Sequence, residues 1–213
     1  MEFETEEQQV EALKKWWKEN GKQIIFGTVI GFGLIIGWRY YLDYSVKQTS
    51  EASALFEQML SKNSESSPAA NKQAVFEKIK KDYDGTPYSS SAGLVLAKSY
   101  YDAGNKDKAL ETLDYVITNT KDKIISQVAQ QRKARILIDL GKAEQALLVL
   151  STDVDKSFIA IFEELKGDAF ILTGDIENAK KAYDKALLNS TADKTLLQMK
   201  RDDLGETTAG SAA

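Results

Sequence analysis

The sequence contains no cysteine and no histidine. Without cysteine, no disulfide can hold a domain together, whatever the redox state around it. Without histidine, the chain lacks the commonest general base and the commonest zinc ligand. Metal and nucleophilic catalysis therefore have little to build on, although composition leaves carboxylate chemistry open. A dominant charge of one sign is missing too: 28 basic residues oppose 32 acidic ones, for a formal net charge of -4. No long basic stretch offers a surface to a polyanion, which argues against a nucleic-acid partner. There is no phosphate-cradling Gly-rich loop. No stretch alternates well enough between apolar and polar residues to read as a strand.

What is present begins with Lys22 to Tyr41, KQIIFGTVIGFGLIIGWRYY. Ile24 to Trp38 carries no charge and is almost wholly apolar or Gly. With interfacial residues at each end, the span 22–42 is long enough to cross a bilayer as one helix. Trp16 and Trp17 flank one side and Trp38, Tyr40 and Tyr41 the other, where amphipathic rings favour the headgroup level. Arg39 can bury its stem and lift its guanidinium toward water. A cleaved signal peptide would need small residues just after the apolar core, but Trp38, Arg39, Tyr40 and Tyr41 stand there. A buried helix of a soluble protein is the other alternative. Lys14, Lys15, Lys18 and Lys22 precede the span, and only Arg39 and Lys47 follow it closely. The positive-inside rule counts these residues and largely ignores the acidic ones, so residues 1–21 are expected in the cytoplasm. Gly27 and Gly31, and Gly33 and Gly37, each have the spacing that lets a second membrane helix approach closely. At about 100° per residue the two pairs lie on different faces. The bland alternative is that Gly is simply common in membrane helices.

Residues 1–12 are acidic and read as disordered. Beyond the span, Val46, Ala52, Leu55, Phe56, Met59 and Leu60 recur at helical spacing, so a helix should continue out of the membrane. KNSESSPA, residues 62–69, reads as a loop with Pro68 as breaker. Val75, Phe76, Ile79 and Tyr83 predict another helix, ended by Asp84-Gly85-Thr86-Pro87. Residues 43–88 are thus expected to be membrane-proximal helices.

A repeat follows. Gly104, Gly141 and Gly174 are spaced close to the roughly 34-residue period of a tetratricopeptide unit. Five residues after each stands an alanine: Ala109, Ala146 and Ala179. Seven before stands a small residue, Ala97, Ala134 or Gly167, and four before a large one, Tyr100, Leu137 or Phe170. Nine after come Leu113, Leu150 and Tyr183. Small residues at facing positions let the two helices of a pair pack closely, and large ones fill the space between pairs. The glycines suit the turn between helices, where positive φ is cheap only for Gly. A helical pair of this size cannot bury its apolar face alone, so the pairs must stack. The middle repeat is the weakest, with Lys133 where a large apolar residue is usual. An ordinary bundle with recurring glycines is the alternative. Residues 191–204 are expected to form a capping helix with Leu196, Leu197, Met199 and Leu204 on its apolar face. Residues 205–213 are expected to be a flexible tail. The fold class is therefore all-α: one N-terminal transmembrane helix, then a tetratricopeptide-like α-solenoid over residues 89–204.

Such a stack presents a concave groove lined by the first helix of each pair. The register assigns Leu94, Lys98 and Tyr101 to it from the first repeat. The second contributes Val128, Gln131, Arg135 and Ile138, and the third Ile161, Glu164, Asp168 and Ile171. Apolar patches with scattered charges of both signs suit a polypeptide. Glu164 and Asp168 are expected to repel a chain-terminal carboxylate. Several of these side chains could instead simply pack against neighbouring helices.

Several stretches resemble the YfgM family, the ancillary subunit of the bacterial Sec translocon. They are EEQQVEALKKWWKENGK, GTPYSSSAGLVLAKSYYDAG, AQQRKARILIDLGKAEQALLVL, ELKGDAFILTGDIENAKKAYDKAL and LLQMKRDDL. The resemblance implies a single-pass protein of the bacterial inner membrane with its repeats in the periplasm. It implies association with the SecYEG translocon and with a membrane-anchored periplasmic chaperone of the prolyl-isomerase-like type. It implies a role in handing emerging chains to periplasmic chaperones, without catalysis and without a cofactor. No residue-level binding motif carries over, so the groove residues rest on the repeat register alone. A membrane-anchored scaffold for another envelope complex shares every physical feature and differs only in its partner.

Overall fold

The computed structural model describes residues 6–61, 69–191 and 193–206. The chain divides into two compact units, Met1–Ser50 and Glu51–Ala213. The first helix, α1, runs from Glu6 to Leu60. Part of the stretch read as disordered is therefore helical. None of the apolar window of α1 is buried within the chain, and the helix is long and apolar enough to cross a membrane. A Cβ built on Gly27, Gly31, Gly33 or Gly37 would meet nothing within 4 Å.

In the second unit the last turns of α1 join a core. Ala52 and Met59 are buried and Leu55 and Phe56 pack beside them, while Val46, in the first unit, and Leu60 stay exposed. The ring of Phe56 lies 5.6 Å from that of Tyr88. Helix α2, Ala69–Asp82, buries Phe76 and Ile79 as its spacing predicts. It begins at Ala69, the last residue of the expected loop, and the rest of that loop, with Pro68, lies outside the described residues.

Three helical pairs follow: α3 (Pro87–Asp102) with α4 (Lys106–Asn119), α5 (Lys123–Asp139) with α6 (Ala143–Leu150), and α7 (Ile159–Thr173) with α8 (Ile176–Asn189). A short 3-10 turn, Lys156–Phe158, leads into α7, and α9 spans Thr195–Glu206. Each expected turn glycine has positive φ: 77° at Gly104, 69° at Gly141 and 76° at Gly174. The turns close identically. The residue after each Gly donates its N–H to the carbonyl of Tyr100, Leu137 or Phe170, at 2.8 to 3.0 Å. These six-to-one bonds satisfy carbonyls that a helix end would otherwise leave open. The large residue four before each Gly therefore both packs and receives the closing bond.

Ala109, Ala146 and Ala179 are fully buried, as are Leu113, Leu150 and Tyr183. The tightest contact is at Gly167, where an added Cβ would lie 2.4 Å from the Tyr183 ring. Three apolar clusters are buried, one on α3–α4 that also takes in Met59, Phe76 and Ile79, one on α5–α7 and one on α8–α9. In the middle pair, Lys133 forms an ion pair with Asp114 of α4, so the polar residue at a usually apolar position has found a partner. Helix α9 buries Leu197 and Leu204 but exposes Leu196 and Met199. Residues 197 and 204 are two turns apart on one face, and 196 and 199 fall off it. Only half of the expected apolar face therefore covers the stack. The helix also takes in Gly205 and Glu206, where the tail was expected to begin, and residues 207–213 lie outside the described ones.

Candidate partner-binding groove

Successive first helices touch: α3 meets α5, and α5 meets α7. Between α3 and α5 lies an open pocket of about 290 Å³. Its floor is formed by Ala97, Leu113 and Ile136, all buried core residues. Lys98, Tyr101 and Asp102 approach from α3, and Arg132 and Arg135 from α5. These positions recur at three- and four-residue intervals, which places them on one face of each helix.

The charges around this rim are unequally partnered. Lys98 holds Asp102 at 2.5 Å. Asp139 pairs with Lys106 and receives the Tyr101 hydroxyl at 3.4 Å. The Lys106 hydrogen bond and charge hold Asp139 below its ordinary carboxylate value, and Asp139 in turn raises Lys106. Arg132 donates from Nη1 to the Leu94 carbonyl at 3.1 Å. Much of the Arg132 side chain meets solvent, yet its guanidinium sits deep enough for burial to lower its pKa. Arg135 is exposed, and its side chain has no hydrogen bond or ion pair among the described residues.

At the third repeat α9 packs across the surface and supplies a cation to it. Lys200 donates to Glu164 at 2.8 Å and to both oxygens of Asp168 at 2.9 and 3.0 Å. The Tyr183 hydroxyl donates to Asp168 at 2.7 Å. Burial opposes the charge on Lys200, but the two carboxylates outweigh it and raise its pKa. Burial and the Asp168 bond push the Tyr183 phenol well up. Below this clamp, Glu163 is almost fully buried and accepts from Lys166 and Lys185, each at 2.9 Å. Burial pushes Glu163 up, and the two lysines reverse that and leave it below the ordinary glutamate value.

Of the residues assigned from the register, Lys98, Tyr101 and Arg135 meet in the α3–α5 pocket. Leu94 packs on the first apolar cluster and Ile138 on the second, and neither lines this pocket. Gln131 and Val128 are half-buried on α5, away from the pocket lining. Ile161 and Glu164 line a second opening of about 310 Å³ between α7 and α9. Ile171 is exposed on α7. Asp168 is not the free carboxylate the sequence suggested, because Lys200 and Tyr183 hold it. Two important residues escaped the register. Arg132 lies one turn before Arg135, where the same helical spacing could have found it. Lys200 sits on the capping helix, whose polar residues sequence periodicity does not aim. No group of three His, Cys, Asp or Glu among the described residues could hold a metal ion.

Comparison with known proteins agrees with this architecture. The tetratricopeptide repeat-like domain family matches residues 14–206. The Escherichia coli ancillary SecYEG translocon subunit is 31% identical over 204 residues, covering 95% of this chain and 98% of that one. Proteins of the same description from Aggregatibacter actinomycetemcomitans and Neisseria gonorrhoeae are 33% and 29% identical. Each of these two matches covers 93% of this chain and 97% of the relative. No solved structure matches the chain.

Proposed function

This chain belongs to the family of ancillary SecYEG translocon subunits, and we propose from that premise that it is a membrane-tethered, non-catalytic interaction module beside the translocon. Its work is to pass translocated polypeptides to periplasmic chaperones, among them a membrane-anchored protein of the prolyl-isomerase-like type. The observation that carries this reading is the joining, in one chain, of two kinds of surface. One is a helix whose apolar window has no buried residue, as suits a lipid-facing segment. The other is a stack of helical pairs with an open, apolar-floored pocket between successive first helices. The lysines before the apolar stretch favour a cytoplasmic N-terminus and periplasmic repeats in the bacterial inner membrane. Gly27, Gly31, Gly33 and Gly37 leave room for a partner helix on two faces.

Two experiments test it. Protease added to spheroplasts should digest the repeat unit, and protection until lysis would reverse the orientation. Mild crosslinking in native membranes should capture translocon subunits together with the chaperone. Capture of another envelope complex and no translocon would move the protein to a different assembly.

A further inference from the structure

We infer that the α3–α5 pocket binds an acidic, apolar-anchored segment of a partner polypeptide. An apolar side chain enters over Ala97, Leu113 and Ile136, and a neighbouring carboxylate meets Arg135 and Arg132. The inference rests on the interaction-module reading and names the chemistry of what it holds.

The charge pattern selects the occupant. Both carboxylates near the rim are already held: Asp102 by Lys98, and Asp139 by Lys106 and Tyr101. A basic segment would have to compete with Lys98 and Lys106 for them. The cations are in the opposite condition. Arg135 is held by nothing among the described residues, and Arg132 gives one bond to a neutral carbonyl. Side chains three apart on a helix are neighbours, so one carboxylate can reach both guanidiniums with charge-assisted hydrogen bonds. The floor is apolar and the pocket is about 290 Å³, enough for a large apolar side chain but shallow for a whole small molecule. An inorganic anion or a phosphate alone would leave that floor wet. A segment that combines both features satisfies the whole pocket, with the charge setting selectivity and the apolar anchor the contact area.

The test uses the full chain in detergent micelles and three short labelled peptides. The first has leucine and phenylalanine flanked by glutamates. The second replaces the glutamates by lysines, and the third keeps them but has alanine for the apolar residues. Binding is read by fluorescence anisotropy at low and high salt. The first peptide should bind about tenfold or more tighter than either of the others, and salt should weaken it. Arg135→Glu should remove about the same factor, with the helical circular dichroism unchanged. Arg135→Lys should recover part of it, since the charge stays but the fork is lost. Equal binding of the lysine peptide, or no effect of Arg135→Glu on a folded chain, overturns the inference. So does failure of all three peptides to bind. Crosslinking of the wild-type chain to the translocon is measured in parallel. Translocon capture without peptide selectivity removes the pocket assignment alone, and loss of capture removes the broader reading.

Discussion

The middle and third repeats share one register and differ in almost everything the register does not specify. In the third, Asp175 caps α8 by accepting from Asn178 N–H at 3.1 Å, and α8 runs for 14 residues. In the middle, Lys142 stands at the cap with no side-chain bond, and α6 has only 8 residues. The third repeat presses Tyr183 onto Gly167, buries Glu163 between two lysines and is clamped by Lys200. The middle one borders the α3–α5 pocket, where Arg135 has no partner among the described residues. The third repeat thus spends its polar groups on holding the stack together. In the middle repeat Arg135 is left without a partner among the described residues, beside the apolar floor of the α3–α5 pocket. In a solenoid, stability is close to a sum over repeats and their interfaces, so the two can differ this far within one chain.

The strongest way to break the comparison is to disturb the close approach that the third repeat is built on. Gly167→Ala would drive its methyl into the fully buried Tyr183 ring. Overpacking of this kind costs about 1–3 kcal/mol. The equivalent middle position is already Ala134, buried in the same apolar cluster as Leu150, which is smaller than tyrosine. Ala134→Gly should therefore cost less, about 1 kcal/mol from the helix-propensity difference. Thermal unfolding of both variants checks the order, and equal losses would mean the third repeat has slack that its geometry hides.

A second, smaller effect is the pH dependence that the clamp contributes, beside that of Tyr115 in α4, whose phenol is pushed up to about 12 by burial and its bond to Asp84. Tyr183 and Lys200 both have folded values raised above their ordinary 10.0 and 10.5. For a raised group, the stabilisation is fully present below the unfolded value and is lost as pH rises through the folded one. Stability should hold near neutrality and fall above about pH 10, starting at the third repeat. On the acid side Glu163 is depressed from 4.5, so its share is present above that value and lost as pH falls through the lower folded one. Tyr183→Phe should flatten the alkaline loss when unfolding is followed against pH. An unchanged alkaline profile would remove Tyr183 from the clamp.

How much of this was legible beforehand follows from the kind of interaction involved. The three turn glycines, the alanines after them and the buried large residues answer to steric rules that act at fixed spacing, and each stands where the register put it. Gly167 was recognised as a small residue at a facing position, although its tyrosine partner was not. What periodicity could not supply was polar partnership. Whether Asp168 faces solvent depends on Lys200, 32 residues away in sequence. Arg132 and Gln131 are adjacent on α5, and choosing between them needs the helix rotation, which α3 and α4 set. Leu94 and Ile138 are half-buried against the apolar clusters, because a stripe one residue wide cannot separate groove from interface.

The comparison can be sharpened by giving the middle repeat what it lacks. Lys142→Asn would place at the start of α6 a side chain that can accept from the N–H two or three residues on. Asn105 already plays that part for α4, accepting from Lys108 N–H at 3.2 Å. A new cap of this type is expected to add about 0.5–1 kcal/mol. Hydrogen exchange should slow most in α6, with little change in α8. If α6 stays as labile as before, its brevity comes from residues 151–155, which carry the chain away toward α7, and not from the missing cap.

The smallest effect expected on stability is at Arg135. Its side chain is exposed and holds nothing among the described residues, so Arg135→Glu should change the unfolding free energy by no more than about 0.5 kcal/mol. The new carboxylate would stand one turn from Arg132, and a surface pair at that spacing is worth only about 0.2–0.5 kcal/mol. The same reversal at Lys200 is a different experiment. Lys200→Glu would bring a third carboxylate against Glu164 and Asp168, which now lie 2.8 and 2.9 Å from the ammonium, and should destabilise the α9 cap. Unfolding the two variants side by side therefore asks directly whether free and committed charge are divided between the repeats. Early unfolding of Arg135→Glu would place that arginine in the fold's own support and close the pocket as a site. A stable Lys200→Glu chain would show that the clamp holds nothing, and the contrast between the repeats would then rest on the Gly167–Tyr183 contact, Glu163 and the helix caps.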